Sequence, residues 1–280
     1  NAQISIEATQ TVTPTKTAVC KRATTLHTEI CSNTDATRYC QADGYTLNDT
    51  ITYGSLGTTG VLTTGDAFDC DVNGDGVYDA ATERFYYVSD ITNGVTTDNN
   101  TAVLVYYNNV SGGVASNSTS YAYDESGANN NGPVTALTQL PTTSQWSNVS
   151  LINTTRAITN ENGGNTTSAG NLPTAFSYEG YAARLLTYQE ANNGCYDGNI
   201  DISTAKGLST KCKYLMENTK YSSSSLKTYG GWLESPYASN PYYVWSVHAH
   251  YRYVNFNTVI DTSNIGVRPA IEVAKTDIEY

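Results

Sequence analysis

Two short runs, Phe85-Tyr86-Tyr87-Val88 and Ala102-Val103-Leu104-Val105-Tyr106-Tyr107, are apolar or aromatic at every position and are bounded by Asn, Gly and Asp. Runs of this kind fit buried strands. Composition points the same way: only 15% of the 280 residues are charged, where about a quarter is usual. Thr, Ser, Asn and Tyr supply the polarity instead, which suits strand faces and turns better than long surface helices. With 39% hydrophobic residues the chain can bury a core, and its length could hold two modest domains.

The net charge is −11 and the pI is near 4.6. Fifteen Lys and Arg are spread thinly and form no basic stripe, so nucleic acid is not an expected partner. The acidity disfavours anionic membranes, and no stretch approaches the ~18 apolar residues of a membrane span. Direct membrane insertion is therefore not expected. Asn1 reads as a mature terminus whose leader has been removed.

Six cysteines, Cys20, Cys31, Cys40, Cys70, Cys195 and Cys212, include no C-x-x-C pair, and the only histidines are His27, His248 and His250. A zinc cage is thus disfavoured, and disulfides in an oxidising compartment are expected, which implies a secreted or cell-surface protein. Cys195–Cys212 is the expected C-terminal bridge, with Cys20, Cys31, Cys40 and Cys70 pairing among themselves.

Three segments follow from the pattern. Residues 1–17 form an N-terminal extended strand and linker, 18–65 a disulfide-stapled β segment, and 66–280 the main body. Within the first, Ile4, Ile6, Ala8 and Val12 alternate with polar residues ahead of Thr13-Pro14-Thr15. This is a strand, either packed on its own domain or donated to a neighbouring subunit. Helices are expected near 142–150, from Thr187, and over 209–218, where Ser209 is the cap and Cys212, Leu215 and Met216 share a side. At the second, Thr187 and Glu190 have capping-box spacing. Residues 108–133 and 160–171 read as polar loops. The sequons at Asn48, Asn99, Asn109, Asn117, Asn148, Asn153 and Asn165 are read only as exposed loops.

Two local patterns carry chemistry. Asp71, Asn73, Asp75 and Asp79 stand at positions 1, 3, 5 and 9 of a loop with Gly76 at 6, and the Val77 carbonyl would add a ligand. That is how a tight loop wraps a hard cation, so a structural calcium ion is expected, although Thr82 replaces the usual Glu at position 12; a metal-free Asx-rich turn is the competing reading. The second pattern is Tyr237 to Asn257. There Tyr243, Trp245, Val247, Ala249, Tyr251 and Tyr253 alternate with Val244, Ser246, His248, His250 and Arg252, as on the two faces of a strand. Tyr, Trp, Ser, Asn and His make a recognition vocabulary, because Tyr gives contact area at low entropy cost and amides adapt their hydrogen bonds. An ordinary Tyr-rich sheet is the competing reading. The expected ligand residues are Tyr237, Asn240, Tyr242, Tyr243, Trp245, His248, His250, Tyr251, Arg252 and Tyr253. No nucleophile elbow, phosphate loop or paired carboxylates stand out, so an enzyme is not expected.

Three motifs together resemble a known family. Ala183-Arg184-Leu185-Leu186-Thr187-Tyr188-Gln189-Glu190 is similar to the RLPT-x-x-E strand-to-helix motif of the C-type-lectin-like fold shared with formylglycine-generating enzymes. Gly231-Trp232-Leu233-Glu234-Ser235-Pro236 resembles that group's W-L-x-S-P strand, and Gly266-Val267-Arg268-Pro269-Ala270 its closing G-[FV]-R-P-A. The resemblance covers about 66–275 and implies a body of antiparallel strands with two helices and a loop region that presents a ligand. Bacterial members include adhesins and pilin-associated proteins, and in some a retroelement diversifies the segment where 237–257 lies. Leu186 stands in place of the family's Pro, the catalytic cysteine pair is missing, and Ser239-Asn240-Pro241 does not match the calcium-dependent sugar motif. The expectation is therefore an α+β, β-rich protein with a C-type-lectin-like body and two or three short helices, preceded by a disulfide-stapled β region. Its expected role is recognition of a protein or glycan ligand, or adhesion. The alternative is a structural filament subunit that assembles with copies of itself by N-terminal strand exchange.

Overall fold

The computed structural model describes residues 17–31, 44–91, 98–156, 176–195, 213–218, 230–237, 240–248 and 253–280. The alternating strand at 3–12 lies outside them, as do Cys40 and Cys212.

The centre is a six-stranded sheet built from β1 (Cys20–Arg22), β4 (Ala67–Cys70), β5 (Arg84–Ile91), β6 (Asp98–Tyr106), β14 (Ala270–Ala274) and β15 (Ile278–Glu279). Their order is β14-β6-β5-β4-β1-β15, antiparallel throughout except for the parallel β1–β15 pair. The two apolar runs are β5 and β6. Phe85, Tyr87, Leu104 and Tyr106 point into one core, whereas Tyr86, Val88, Val103 and Val105 point into another. Because successive strand side chains face opposite ways, a sheet covered on both faces needs an unbroken apolar run.

Segment 18–65 is joined to this sheet through β1, and Cys20 is disulfide-bonded to Cys70 on β4. Cys31 is in a disulfide as well; the expected Cys195–Cys212 pairing lies outside the described side chains. A hairpin of β2 (Thr28–Ile30) and β3 (Thr50–Thr52) completes this region. Further small pairs join β7 (Val110–Ser111) to β8 (Val114–Ala115), and β9 (Thr155–Arg156) to β10 (Phe176–Ser177).

Among the described residues there is one α-helix, α1 (Tyr188–Cys195), and four short 3-10 turns, fewer helices than expected. The capping box at its start is formed: the Glu190 N–H donates to Thr187 Oγ1 at 3.1 Å, and the Thr187 N–H donates to Glu190 Oε2 at 2.9 Å. The expected helix at 142–150 is instead one closed turn. There the N–H groups of Gln145 and Trp146 both reach the Thr142 carbonyl, and Gln145 Oε1 accepts from the Thr142 N–H. Ser147 and Asn148 bond other segments, and only Trp146 and Val149 bury apolar surface, which is too little for a helical stripe. Of the expected 209–218 helix, the described part is a 3-10 turn at Tyr214–Met216, all of it buried. The polar 108–133 stretch is not one loop: it holds β7 and β8 and sends Val110 and Tyr123 into the core. Asn109 is fully buried rather than exposed, because its Nδ2 donates to the Gly230 carbonyl at 3.0 Å and Gly266 packs against it.

Candidate functional site

The Tyr-rich segment is a hairpin, not one strand. β11 (Gly230–Pro236), β12 (Tyr243–His248) and β13 (Tyr253–Thr258) form a three-stranded antiparallel sheet, and His248 pairs with Tyr253. Residues 249–252, which include His250, Tyr251 and Arg252 of the expected ligand set, lie outside the described residues; His248 and Tyr253 are described by backbone only. The face carrying Val244 and Ser246, which reads as mixed polar in the sequence, is buried with Trp232, while Val247 and its partner Val254 bury one end of the opposite face in the second core. Cross-strand partners share a face, which puts Tyr243, Trp245 and Phe256 on the other side.

There the rings form a continuous cluster. Tyr237 lies 4.6 Å from Phe256 and 5.2 Å from Trp245, Tyr243 lies 5.1 Å from Phe256, and Tyr188 of α1 lies 4.4 Å from Trp245, centroid to centroid. These spacings are those of mutually packed aromatic pairs. Tyr188, Tyr237, Tyr243 and Trp245 are half-buried, whereas Phe256 is 38% exposed and Tyr242 63%. Half-buried Asn240 borders the cluster, whereas Asn255 and Asn257, opposite Ser246 and Val244, belong to the other face. Such a surface offers flat apolar area for stacking.

The turn that leads into β12 is pinned from beneath by Asn129. Its Nδ2 sits 3.1, 2.9 and 2.7 Å from the carbonyls of Tyr237, Asn240 and Tyr243, and its backbone N–H donates to Pro241. Asn240 Oδ1 in turn accepts from the Tyr242 N–H at 2.9 Å, which fixes the base of the most exposed ring. Asn129 is 1% exposed. In the sequence it is one of three consecutive Asn and has no mark of a buried support.

Below the hairpin the segments 183–190, 231–236 and 266–270 meet. Arg184 bridges Ala270, Gly231 bridges Gly266, the Glu234 N–H donates to Leu186, and the Tyr188 N–H donates to Ser235 Oγ. Five buried charges tie them. Arg184 donates to Glu190 at 2.7 and 2.8 Å and to Glu272 at 2.7 Å, while Arg156 donates to Glu234 at 3.0 Å. Burial alone would raise Glu190, but the Arg184 fork and Arg156 outweigh it and hold that carboxyl below its ordinary value. At Glu234 burial prevails over the same two arginines, and the carboxyl is raised.

The 71–79 loop connects β4 to β5 on the far side of the disulfide. Asp71 accepts from the N–H groups of Gly74 at 2.8 Å and Gly76 at 3.0 Å, Asn73 from Asp75 at 2.8 Å, and Asp75 from Val77 at 2.8 Å. Gly74 and Gly76 have φ of +81° and +82°, a conformation costly for other residues. Asp79 turns away toward Ala81 and Thr82. Among the described residues no three His, Cys, Asp or Glu side chains converge as a ready metal cage. The residue that the sequence pattern leaves out is Glu83. It is 5% exposed; its Oε2 accepts from the Asp79 N–H at 3.1 Å, and its Oε1 is buried with no hydrogen-bond partner. Burial, joined by the charges of Asp75, Asp71 and Asp79, pushes the Glu83 carboxyl up to about 7 against the opposing effect of the Asp79 N–H. Position 13 of the loop is one step past the place where a closing acid is sought, so spacing alone does not find it.

Comparison with protein-family models, with characterised proteins and with solved structures found no match to this chain.

Proposed function

We propose that this chain is an extracellular recognition protein that holds its ligand on the aromatic face of the β12–β13 hairpin, for adhesion or display at a cell surface. The observation that carries this reading is the ring cluster of Tyr188, Tyr237, Tyr243, Trp245 and Phe256, half-open to solvent beside the exposed Tyr242. An isolated exposed ring needs no explanation, but a bordered aromatic cluster is a common mark of an interaction site. Stacking rings suit the apolar faces of a neutral glycan. The Cys20–Cys70 disulfide supports an oxidising location. The C-type-lectin-like reading belongs to the same proposal, and it is supported by the meeting of segments 183–190, 231–236 and 266–270 around shared ion pairs.

A glycan array probed with the full chain, wild type beside the Tyr242→Ser/Phe256→Ser double variant, tests this. Tyr242 is largely exposed while Phe256 also packs on its neighbouring rings, so the variant should melt somewhat lower yet stay folded at the assay temperature, while losing about 2 kcal/mol of binding, roughly thirtyfold. Equal binding by the two proteins would discard the face as the site. Binding that appears only with protein ligands would retain the face and replace the glycan.

A further inference from the structure

The loop between β4 and β5 has an acid that its sequence pattern does not predict. Counting from Asp71, the twelfth position is Thr82, and a calcium loop that ends there lacks its closing carboxylate. Glu83 follows it. The turn that closes at 79–83, with the Glu83 N–H on the Asp79 carbonyl at 2.7 Å, folds its side chain back onto the loop, where Oε2 meets the Asp79 N–H. The second oxygen, Oε1, is shut away from water without a donor. A buried carboxylate oxygen with no partner is rare in folded proteins and calls for a proton, a water or a cation. Three further carboxylates, Asp71, Asp75 and Asp79, belong to the same loop. A buried carboxylate without a donor is unfavourable, and a hard divalent cation shared with these acids is a partner that removes that penalty.

We propose that Glu83 closes a calcium site in this loop from the thirteenth position, together with Asp71, Asn73, Asp75, Asp79 and the Val77 carbonyl. Six oxygen donors match the lower end of calcium's coordination range, and flexible Asp and Asn donors suit calcium better than the strict octahedron of magnesium. Closure draws in the exposed carboxylates of Asp75 and Asp79, while Asp71 is already set by the loop amides. The neighbouring segment is tied to the same loop: Ser147 Oγ donates to the Asn73 carbonyl at 2.7 Å, and Asn148 Nδ2 donates to the Asp71 carbonyl at 2.7 Å. Filling the site would therefore stiffen the β4–β5 connection and the 147–148 segment together.

Isothermal titration of the EDTA-treated full chain with calcium chloride tests the proposal, with Tm read in parallel. The wild type should bind one calcium and melt several degrees higher with it. The isosteric Glu83→Gln variant, and the Asp75→Asn variant at an exposed position that folding does not need, should each weaken binding at least tenfold. Glu125→Gln, an exposed acid elsewhere, should bind like the wild type. No calcium binding by the folded wild type at millimolar concentration overturns the site. Undiminished binding by Glu83→Gln, with Asp75→Asn impaired, overturns the role of Glu83.

Discussion

His27 is caught between two acceptors. Its Nδ1 lies 2.5 Å from Glu217 Oε1, and its Nε2 lies 2.5 Å from the Ala80 carbonyl. A neutral imidazole has one N–H, so facing a carboxylate and a carbonyl together calls for the doubly protonated ring. Burial alone would lower its pKa, but the hydrogen bond and charge of Glu217, with the Ala80 carbonyl, outweigh burial and raise it above the ordinary 6.5. The sign follows from linkage. A raised folded value means that stability from this contact is fully present below about pH 6.5 and fades as pH rises through the folded value. The wild-type Tm should therefore fall across that window more steeply than that of His27→Gln, which should start lower; the raised Glu83 carboxyl gives both proteins a shared slope up to about pH 7. Parallel pH profiles for the two proteins would show that His27 carries no such charge. Tyr86 shares Glu217, donating to Oε2 at 2.5 Å, so the contact ties the 17–31 segment to the second core.

The hairpin shows how far an element can be read from its sequence. Period-two alternation places Tyr243 and Trp245 on one face and Val244 and Ser246 on the other, and the structure keeps that division. What alternation cannot supply is the reversal between β12 and β13, or how each face is covered: Val244 and Ser246 with Trp232, Val247 and Val254 in the second core. The same gap explains Asn109 and Glu83, which are polar residues in polar stretches whose burial is set by distant segments. The capping box at Thr187 is legible because both of its partners lie within one turn, whereas the 142–150 turn is not, because Gln145, Ser147 and Asn148 bond to distant segments. Asn129→Ala and Asn129→Asp should each cost about 1–3 kcal/mol, since neither side chain can donate to the three carbonyls. Chemical denaturation measures that loss, and the 237–243 turn should loosen with it, weakening ligand capture. Stability unchanged in both variants would mean that the turn holds itself.

On the scale of the molecule, one sheet organises two cores, and the long apolar runs announce this before any contact is known. The buried charges do not announce themselves. Arg156, Arg184, Glu190, Glu234 and Glu272 come from four separate stretches of chain and look in the sequence like scattered surface residues. Once buried they must be paired, because removing one member strands the others without water. The Cys20–Cys70 bond spans 50 residues and joins β1 to β4. In the chain-entropy account, a loop of that size contributes about 4 kcal/mol by restricting the unfolded state. Replacing both cysteines by Ser should lower the unfolding free energy by that order, measured by urea titration. A loss below about 1 kcal/mol would mean that the bond does not act mainly by restricting the unfolded chain.

The parallel pairing of β1 with β15, Cys20 opposite Ile278 and Lys21 opposite Glu279, has a mechanical meaning. Tension that enters ahead of β1 and leaves beyond β15 pulls the two strands lengthwise past each other. Their hydrogen bonds are then strained together instead of one after another. If they give way, Cys20 is still anchored to the interior of the sheet through Cys70, so the load stops at the disulfide. A tethered copy could then be tugged at one edge while the hairpin that carries the aromatic face stays folded.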